Sequence, residues 1–306
     1  MNIWLVILTF VLATLGTVIL GLLSKWVDRK VTARIHWRVG PPWYQTFADV
    51  LKLLGKETIV PATAQKWTFL SAPIIGFAGA AVAASILWGA NLTHASFVGD
   101  LIVVVYVLTL PSLAIIVGGM ASGSPIAALG ASREMKLVFA FELPMILALV
   151  TVILKAQGTL ALDGILDYQA SNGMFIGSVS GVIAFVVAVL SAQAKLGLVP
   201  FDIAEAETEI IAGPFTEYSG PSLAVFYLMK AVLLAVLPIL LVTVFWGGFR
   251  GWGLLWGTLA YVLVLVLFVL IRNTNPRLRI DQALKFFWFG LTPVSILAVV
   301  LAGLGY

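Results

Sequence analysis

The sequence predicts an all-α integral membrane protein, and three observations support this class. Of its 306 residues, 61% are hydrophobic and only 10% are charged, which lies outside the composition of soluble globular domains. Several uncharged apolar runs reach the roughly 20 residues that a helix needs to cross a bilayer. The alternating ten-residue segments of a transmembrane β-barrel are absent. We therefore expect one polytopic membrane domain over residues 1–306.

Eight apolar segments predict about eight transmembrane helices. They cover residues 3–23, 70–88, 101–121, 137–154, 175–198, 222–246, 254–271 and 289–304. The first has neither a basic leading region nor a cleavage site, so we expect it to be retained as an anchor. Between the first two, apolar residues at Phe47, Val50, Leu51 and Leu54 recur with helical spacing. This spacing predicts a short amphipathic helix on the membrane surface.

The distribution of basic residues predicts the orientation. The odd-numbered connections between spans hold 14 of the 18 Lys and Arg residues, whereas the even-numbered ones hold only Lys155 and Arg250. By the positive-inside rule the odd connections are cytoplasmic, so both termini are expected outside. The main cytoplasmic loops are then about 24–68, 199–221 and 272–288.

One of these loops, "VPFDIAEAETEIIAGPFTEYSG", carries five of the 14 acidic residues and no Lys or Arg. The five are Asp202, Glu205, Glu207, Glu209 and Glu217. Pro200 and Gly213-Pro214 predict a helix between them, on which Asp202, Glu205 and Glu209 share a face. Clustered carboxylates raise one another's pKa and are then able to pass protons. The alternatives are a solvated acidic surface or a patch that docks a partner.

Three charged residues lie in or at the ends of predicted spans. Glu142 lies inside the fourth span, where a carboxylate usually faces a polar cavity and serves a function. Its alternative is an interfacial pair with Lys136 or Arg133. Lys230 is either a counter-charge to a carboxylate or a side chain that reaches toward an interface. Lys195 is a further candidate counter-charge.

The first connection is basic, and its charge is complementary to that of the acidic loop. Residues 25–66 carry a net charge of +5 and residues 199–221 carry −5. We expect the two segments to face each other, with Arg34 and Arg38 near the carboxylates. Because the chain has no cysteine, it cannot hold an iron–sulfur cluster on thiolates. His36 and His94 lack partners at ligand spacing, so no metal site is expected.

Four segments in order resemble one family, the H subunit of respiratory complex I and its homologues in membrane-bound nickel–iron hydrogenases and related ferredoxin-oxidising sulfane reductases. They are "DRKVTARIHWRVGP", "ALGASREMKLVFAFE", the acidic loop, and "IRNTNPRLRIDQALKFFWFGLTPVS". The resemblance covers most of the chain. The shortened first loop, "RVGPPWYQTFADVLK", is similar to the hydrogenase branch.

The resemblance implies a role for the matching residues. Glu142 and the carboxylates Asp202, Glu205, Glu207, Glu209 and Glu217 would form a proton relay. Arg34, Arg38, Arg277, Arg279 and Asp281 would shape the interface to a peripheral arm or a quinone-like cavity. Lys195 and Lys230 would be intramembrane counter-charges.

The resemblance also implies a function and partners. The chain would anchor a peripheral redox module and couple its electron transfer to proton or sodium translocation, without being catalytic by itself. It would bind no cofactor, since iron–sulfur clusters and a nickel–iron centre are expected on partner subunits. Those partners are a hydrogenase-like catalytic subunit, a small iron–sulfur subunit and antiporter-like subunits in the cytoplasmic membrane. The alternatives are a quinone-site subunit of a complex I-type oxidoreductase, a stand-alone secondary transporter and a purely structural anchor.

Overall fold

The computed structural model describes residues 3–94, 96–250 and 253–305, which fold as α-helices without strands in these ranges. The helices are α1 (Ile3–Ile35), α2 (Gln45–Leu54), α3 (Lys66–Trp88), α4 (Asp100–Val107), α5 (Leu110–Ala121), α6 (Pro125–Lys155), α7 (Leu162–Asn172), α8 (Val179–Lys195), α9 (Glu207–Ile210), α10 (Gly220–Trp246), α11 (Gly253–Thr274), α12 (Ile280–Lys285) and α13 (Thr292–Gly303).

Seven helical segments of the described chain are long and apolar enough to cross a membrane. They are Ile7–Ile35, Lys66–Thr93, Asp100–Ala121, Pro125–Lys155, Gly220–Trp246, Gly253–Thr274 and Ile280–Gly303. The predicted fifth span corresponds to α8, which has 17 residues and is the shortest of the set. Each of the eight predicted segments therefore overlaps an apolar helix, and the all-α membrane class is confirmed.

Two helices extend well beyond their predicted ends. α1 continues from the predicted end at Leu23 to Ile35, and α6 begins at Pro125 instead of Leu137. Hydropathy marks where an apolar run stops, but a helix continues while its polar residues find partners or water. In α1 the first acidic residue beyond the predicted end does find a partner, because Asp28 accepts a hydrogen bond from Arg272 of α11.

α10 is the central helix of the bundle. Of its most apolar stretch, 89% is buried against other helices, compared with 22% for the first span and 22% for the last. α1 and α10 approach closely at Gly21, where an added Cβ would lie 2.3 Å from the carbonyl oxygen of Ala231. The outer spans therefore present their apolar faces outward, and α10 supplies the core.

The amphipathic helix after the first span is present as α2. Its buried side packs on α1 and α10, with Val50 in contact with Leu22 and Ala231. The Thr46 hydroxyl donates to the carbonyl oxygen of Leu22 at 3.0 Å, which fixes α2 against α1. Its opposite side is exposed, including Leu51. This arrangement is that of a surface helix lying beside the spans.

The connection between α6 and α8, which lies between the fourth and fifth predicted spans, contains a further helix. This helix is α7, on which Leu162, Ile165 and Leu166 are buried. Arg250 pairs with Asp163 and Asp167 of α7, which ties this helix to the end of α10. An amphipathic pattern of only 11 residues was too short to separate from a loop by hydropathy.

Candidate functional site

The acidic loop does not form the predicted helix from Pro200 to Gly213. Within it only Glu207–Ile210 is α-helical, followed by a 3-10 turn at Gly213–Phe215. The turn packs directly on α6, because a Cβ added at Gly130 would lie 2.6 Å from Cδ of Pro214. At the other end, the Leu278 amide donates to the carbonyl oxygen of Pro200 at 3.0 Å. These tertiary contacts override the local helical pattern.

The three carboxylates expected on one helix face instead reach three different cations. Asp202 pairs with Arg277 at 2.8 Å, and Glu209 pairs with Arg133 at 2.6 Å. Glu205 pairs with Lys230 of α10.

The remaining two carboxylates of the loop are less engaged. Glu207 is exposed and Glu217 is half-buried. Neither forms an ion pair within the described ranges.

A cavity of about 370 Å³ opens between the acidic loop and the helices α1, α10 and α11. Its charged walls include carboxylates of the loop, of which Asp202 and Glu205 are the innermost, together with Lys25, Lys230 and Arg277. Burial and the neighbouring charge of Glu205 raise the pKa of Asp202 to about 6, although Arg277 opposes the shift. A carboxyl group with this pKa exchanges protons near physiological pH.

From this cavity the charged groups continue into the bundle through Glu134 of α6. Glu134 is 4% exposed, and Ser112 of α5 lines a narrow space of about 10 Å³ beside it. Glu134 lines the same space together with Glu205, Lys230 and Lys195. Glu134 thus lies between two lysines that belong to different helices.

Lys195 completes the row by pairing with Glu142. Its Nζ lies 3.4 Å from Oε1 of Glu142 and 5.5 Å from the centre of the Phe141 ring. The Lys195 side chain is only 4% exposed. The alternative in which Glu142 pairs with Lys136 or Arg133 is therefore wrong, since Arg133 is held by Glu209.

These residues form what we call the charge row: Asp202, Glu205, Lys230, Glu134, Lys195 and Glu142. Acidic and basic groups alternate along it from the Glu205–Lys230 pair to Glu142. In a poorly hydrated environment each charge sets the protonation of its neighbours, so a change at one end alters the proton affinity further along. The arrangement is suited to moving a proton or a charge shift inward from the loop.

Sequence reasoning missed Glu134, Lys25, Asp28 and Arg272. Glu134 was assigned to a loop, yet Ser124-Pro125 is a helix-start pattern. Pro144 interrupts this stretch, but no proline lies between Pro125 and Glu134, so the helix-start pattern would have placed Glu134 inside α6. Asp28 and Arg272 meet at 2.5 Å across 244 positions, a contact that no local pattern contains.

The basic first loop does not face the carboxylates through Arg34 and Arg38. Both are exposed, and neither lines the cavity or forms an ion pair in the described part of the chain. Since α1 stays helical to Ile35, Arg34 lies about 14 Å beyond Lys25 along the helix axis. Lys25 is the basic residue of this stretch that reaches the cavity.

The last connection supplies a second cavity of about 190 Å³. Arg277, Arg279 and Asp281 line it together with Arg133 and Glu209. Its exposed charges lie at the same end of the bundle as the acidic loop. These residues are therefore grouped near the entrance to the charge row.

At the opposite end, His94, Asp163 and Asp167 bring their ligand atoms within 4.8 Å of one another. This grouping was hidden in the sequence, where His94 has no partner at ligand spacing. Both aspartates already pair with Arg250. The guanidinium therefore already supplies the positive charge that these two carboxylates attract.

Comparison with known proteins gives one consistent result. A family model described as NADH dehydrogenase matches residues 6–303. The NADH-quinone oxidoreductase H subunit of Thermomicrobium roseum is 37% identical, covering 94% of this chain and 92% of the relative. The corresponding protein of Anoxybacillus flavithermus is 34% identical, covering 96% and 90%.

The fold is also similar to a solved structure. A chain of the membrane-bound sulfane sulfur reductase, an archaeal respiratory membrane complex, superposes with a TM-score of 0.86 at 28% sequence identity. The match covers 97% of this chain and 99% of that chain. The chain therefore belongs to the NADH dehydrogenase family, as the H subunit of a complex I-type membrane arm.

Proposed function

We propose that this subunit anchors a peripheral redox module and couples its electron transfer to ion translocation through the charge row. The observation that carries the proposal is the continuity of the row from the acidic loop to Glu142. Electron transfer in the module would displace the loop, and the displacement would change the proton affinity of Glu205 through its pairing with Lys230. The change would then pass by way of Glu134 to the Lys195–Glu142 pair.

Burial supports this role over a purely structural one. Glu134 and Lys195 are almost completely removed from solvent, where ionised groups are costly and are usually retained for function. A docking patch would require exposed charges, and only the outer residues such as Glu207 and Glu209 meet that description. We assign the outer carboxylates, with Arg277, Arg279 and Asp281, to contact with the peripheral module.

The redox partners are proposed on the likeness to the sulfane sulfur reductase chain and the shortened first loop. We expect a hydrogenase-like or sulfane-reducing catalytic subunit, a small iron–sulfur subunit and antiporter-like subunits in the cytoplasmic membrane. The iron–sulfur clusters and any nickel–iron centre would lie on those partners. Gentle detergent extraction should recover the chain together with iron-containing subunits, whereas recovery of the chain alone would contradict the assignment.

A quinone-site subunit is the second candidate. It is favoured by the relatives, whose names specify NADH-quinone oxidoreductases. Arg34 and Arg38, the residues expected to line a quinone-like cavity, lie away from the cavity beside the acidic loop. The two candidates are separated by whether electron transfer in the purified complex depends on an added quinone.

Coupling is tested with Glu142→Gln, which keeps the shape of the side chain and removes its titration. We expect the complex to assemble and electron transfer to continue, while ion uptake per electron in sealed vesicles falls by at least about tenfold, since proton transfer by a positioned group contributes ~10²–10⁴-fold. Glu57→Gln is the matched control, because Glu57 is exposed and lies outside the charge row. Unchanged ion uptake per electron in Glu142→Gln would show that Glu142 is structural.

A further inference from the structure

A third cavity, of about 500 Å³, lies between α1, α2 and α10 and is not used by the charge row. Its lining includes five basic and two acidic side chains, with apolar residues between them. The cavity shares Lys25, Asp28, Tyr227 and Arg272 with the one beside the acidic loop. The two spaces are therefore neighbours separated by these four side chains.

The two acidic residues of this cavity are already neutralised. Asp28 is buried and accepts a hydrogen bond from Arg272 at 2.5 Å. Asp49 accepts hydrogen bonds from Arg29 at 2.8 Å and from Gln45 at 3.0 Å. Partial burial alone would raise the pKa of Asp49, but the hydrogen bonds from Arg29 and Gln45 lower it by more. The pKa of Asp49 therefore lies below its usual value. Each of the two carboxylates is therefore matched by one arginine.

Three lysines of the cavity remain without an ion-pair partner in the described ranges: Lys25, Lys52 and Lys56. Lys52 and Lys56 are exposed at the rim on or just after α2, whereas Lys25 is half-buried and lies 4.7 Å from the centre of the Tyr227 ring. The cavity thus carries about three uncompensated positive charges, arranged from the rim inward.

The position of the cavity indicates the kind of molecule that would neutralise these charges. α2 is a surface helix whose Leu51 is 68% exposed, as expected for a side chain in contact with the boundary between lipid headgroups and acyl chains. Leu22, Leu53 and Leu223 provide an apolar wall beside the lysines. A basic pocket between transmembrane helices at headgroup level favours an anionic lipid.

We propose that this cavity binds one acidic phospholipid. Lys52 and Lys56 contact the phosphate at the rim, Lys25 attracts its charge from below, and the first part of an acyl chain lies along Leu22, Leu53 and Leu223. The volume suits a headgroup and the start of the chains, with the remainder in the bilayer. This inference goes beyond the proposed ion-coupling function, because it concerns a lipid and not the path of the ion.

The test compares lipids that differ only in headgroup charge. The full-length chain in neutral detergent is titrated with phosphatidylglycerol or phosphatidylcholine of identical acyl chains, and bound lipid is counted by native mass spectrometry. We expect one tightly bound phosphatidylglycerol per chain and weaker binding of phosphatidylcholine. Raising the salt concentration should weaken the phosphatidylglycerol complex selectively, because the attraction is partly screened.

The double variant Lys52→Gln/Lys56→Gln should weaken phosphatidylglycerol binding by roughly thirtyfold, since each lysine near an anionic lipid surface contributes about fivefold. The control is Lys66→Gln/Lys285→Gln, which removes the same charge from two exposed positions outside the cavity. It should leave binding nearly unchanged. All four positions are exposed, so neither variant is expected to disturb folding.

Two outcomes would overturn the lipid site. One is an equal loss of binding in the two double variants, which would indicate general attraction to a basic surface. The other is that decylubiquinone displaces bound phosphatidylglycerol and that Lys52→Gln/Lys56→Gln leaves quinone binding unchanged. Together these two results would make the cavity a quinone site. Neither readout depends on ion uptake, so a failure here is distinguishable from a failure of the charge row.

Discussion

Individual charged residues in this protein are defined by partners from distant parts of the chain. Lys230 and Glu205 illustrate this, because each is about one-fifth exposed and each would be costly to bury alone. The sequence shows Lys230 inside an apolar helix and Glu205 in an acidic loop, and both the counter-charge and the interfacial interpretations fit. The ion pair between them selects the counter-charge interpretation for Lys230.

The strength of this pair is measurable with Lys230→Met, Glu205→Gln and the double variant. We expect each single change to destabilise the folded chain, because it leaves the other partner without its counter-charge. The coupling free energy should be about 0.5–3 kcal/mol, the range for contacting residues in one network. Thermal unfolding in detergent measures it, and additive effects of the two single changes would contradict direct pairing.

Asp202 makes stability depend on pH in a defined direction. Burial and Glu205 raise its pKa from 3.8 to about 6 in the folded state. The folded state therefore binds more protons than the unfolded state between about pH 4 and 6, so the contribution of Asp202 to stability is lost as pH rises through this window. Asp202→Asn should abolish this trend. The difference in unfolding temperature, wild type minus Asp202→Asn, should fall from pH 4 to pH 7, and a rise would contradict the shift.

Among the elements, the close contact between α1 and α10 positions Lys25 beside the cavities. It depends on Gly21, since a Cβ at this position would meet the backbone of Ala231. Gly16 lies on the same helix and has no atom within 4 Å of an added Cβ. The two glycines thus differ in packing while sharing one helix and one membrane span.

Gly21→Ala should therefore destabilise the chain by about 1–3 kcal/mol through overpacking, whereas Gly16→Ala should be neutral or slightly stabilising. Thermal unfolding of the detergent-solubilised chain gives both values. If the two substitutions have the same effect, α1 does not approach α10 as closely as the structure indicates.

At the scale of the whole molecule, most charged groups lie toward the two ends of an apolar bundle, and the charge row extends inward from one of them. The acidic loop, α2 and the last connection share one end, and α7 with Arg250 lies at the other. The 14 to 2 distribution of basic residues between connections predicts that the first end is cytoplasmic. The proposed coupling to a peripheral redox module on the cytoplasmic side requires this orientation.

Because the chain has no cysteine, orientation is testable with single cysteines at exposed positions. Thr58→Cys lies at the same end of the bundle as the acidic loop, and Asn172→Cys lies at the opposite end. An impermeant thiol reagent applied to intact cells should label Asn172→Cys and spare Thr58→Cys, with both labelled after disruption. The reverse pattern would place the termini inside.

The sequence by itself determined the membrane class, the apolar spans, the surface helix α2 and the segments that carry the family resemblance. These depend on composition and on period, which are local properties and persist in any packing of the helices. The local sequence pattern also identified the acidic loop, Glu142, Lys195 and Lys230 as candidate functional charges, because they lie in or beside apolar spans.

Only the tertiary structure decided which charges meet. The acidic loop packs against α6 and the last connection and does not form the predicted helix. Its carboxylates therefore do not share one face but pair separately with Arg277, Lys230 and Arg133. Glu134 became central because α6 starts earlier than hydropathy indicates. The physical reason is that a buried charge is stabilised by the opposite charge nearest to it in space. Here that opposite charge lies on another segment far away in the sequence, so no local sequence pattern reveals the pair.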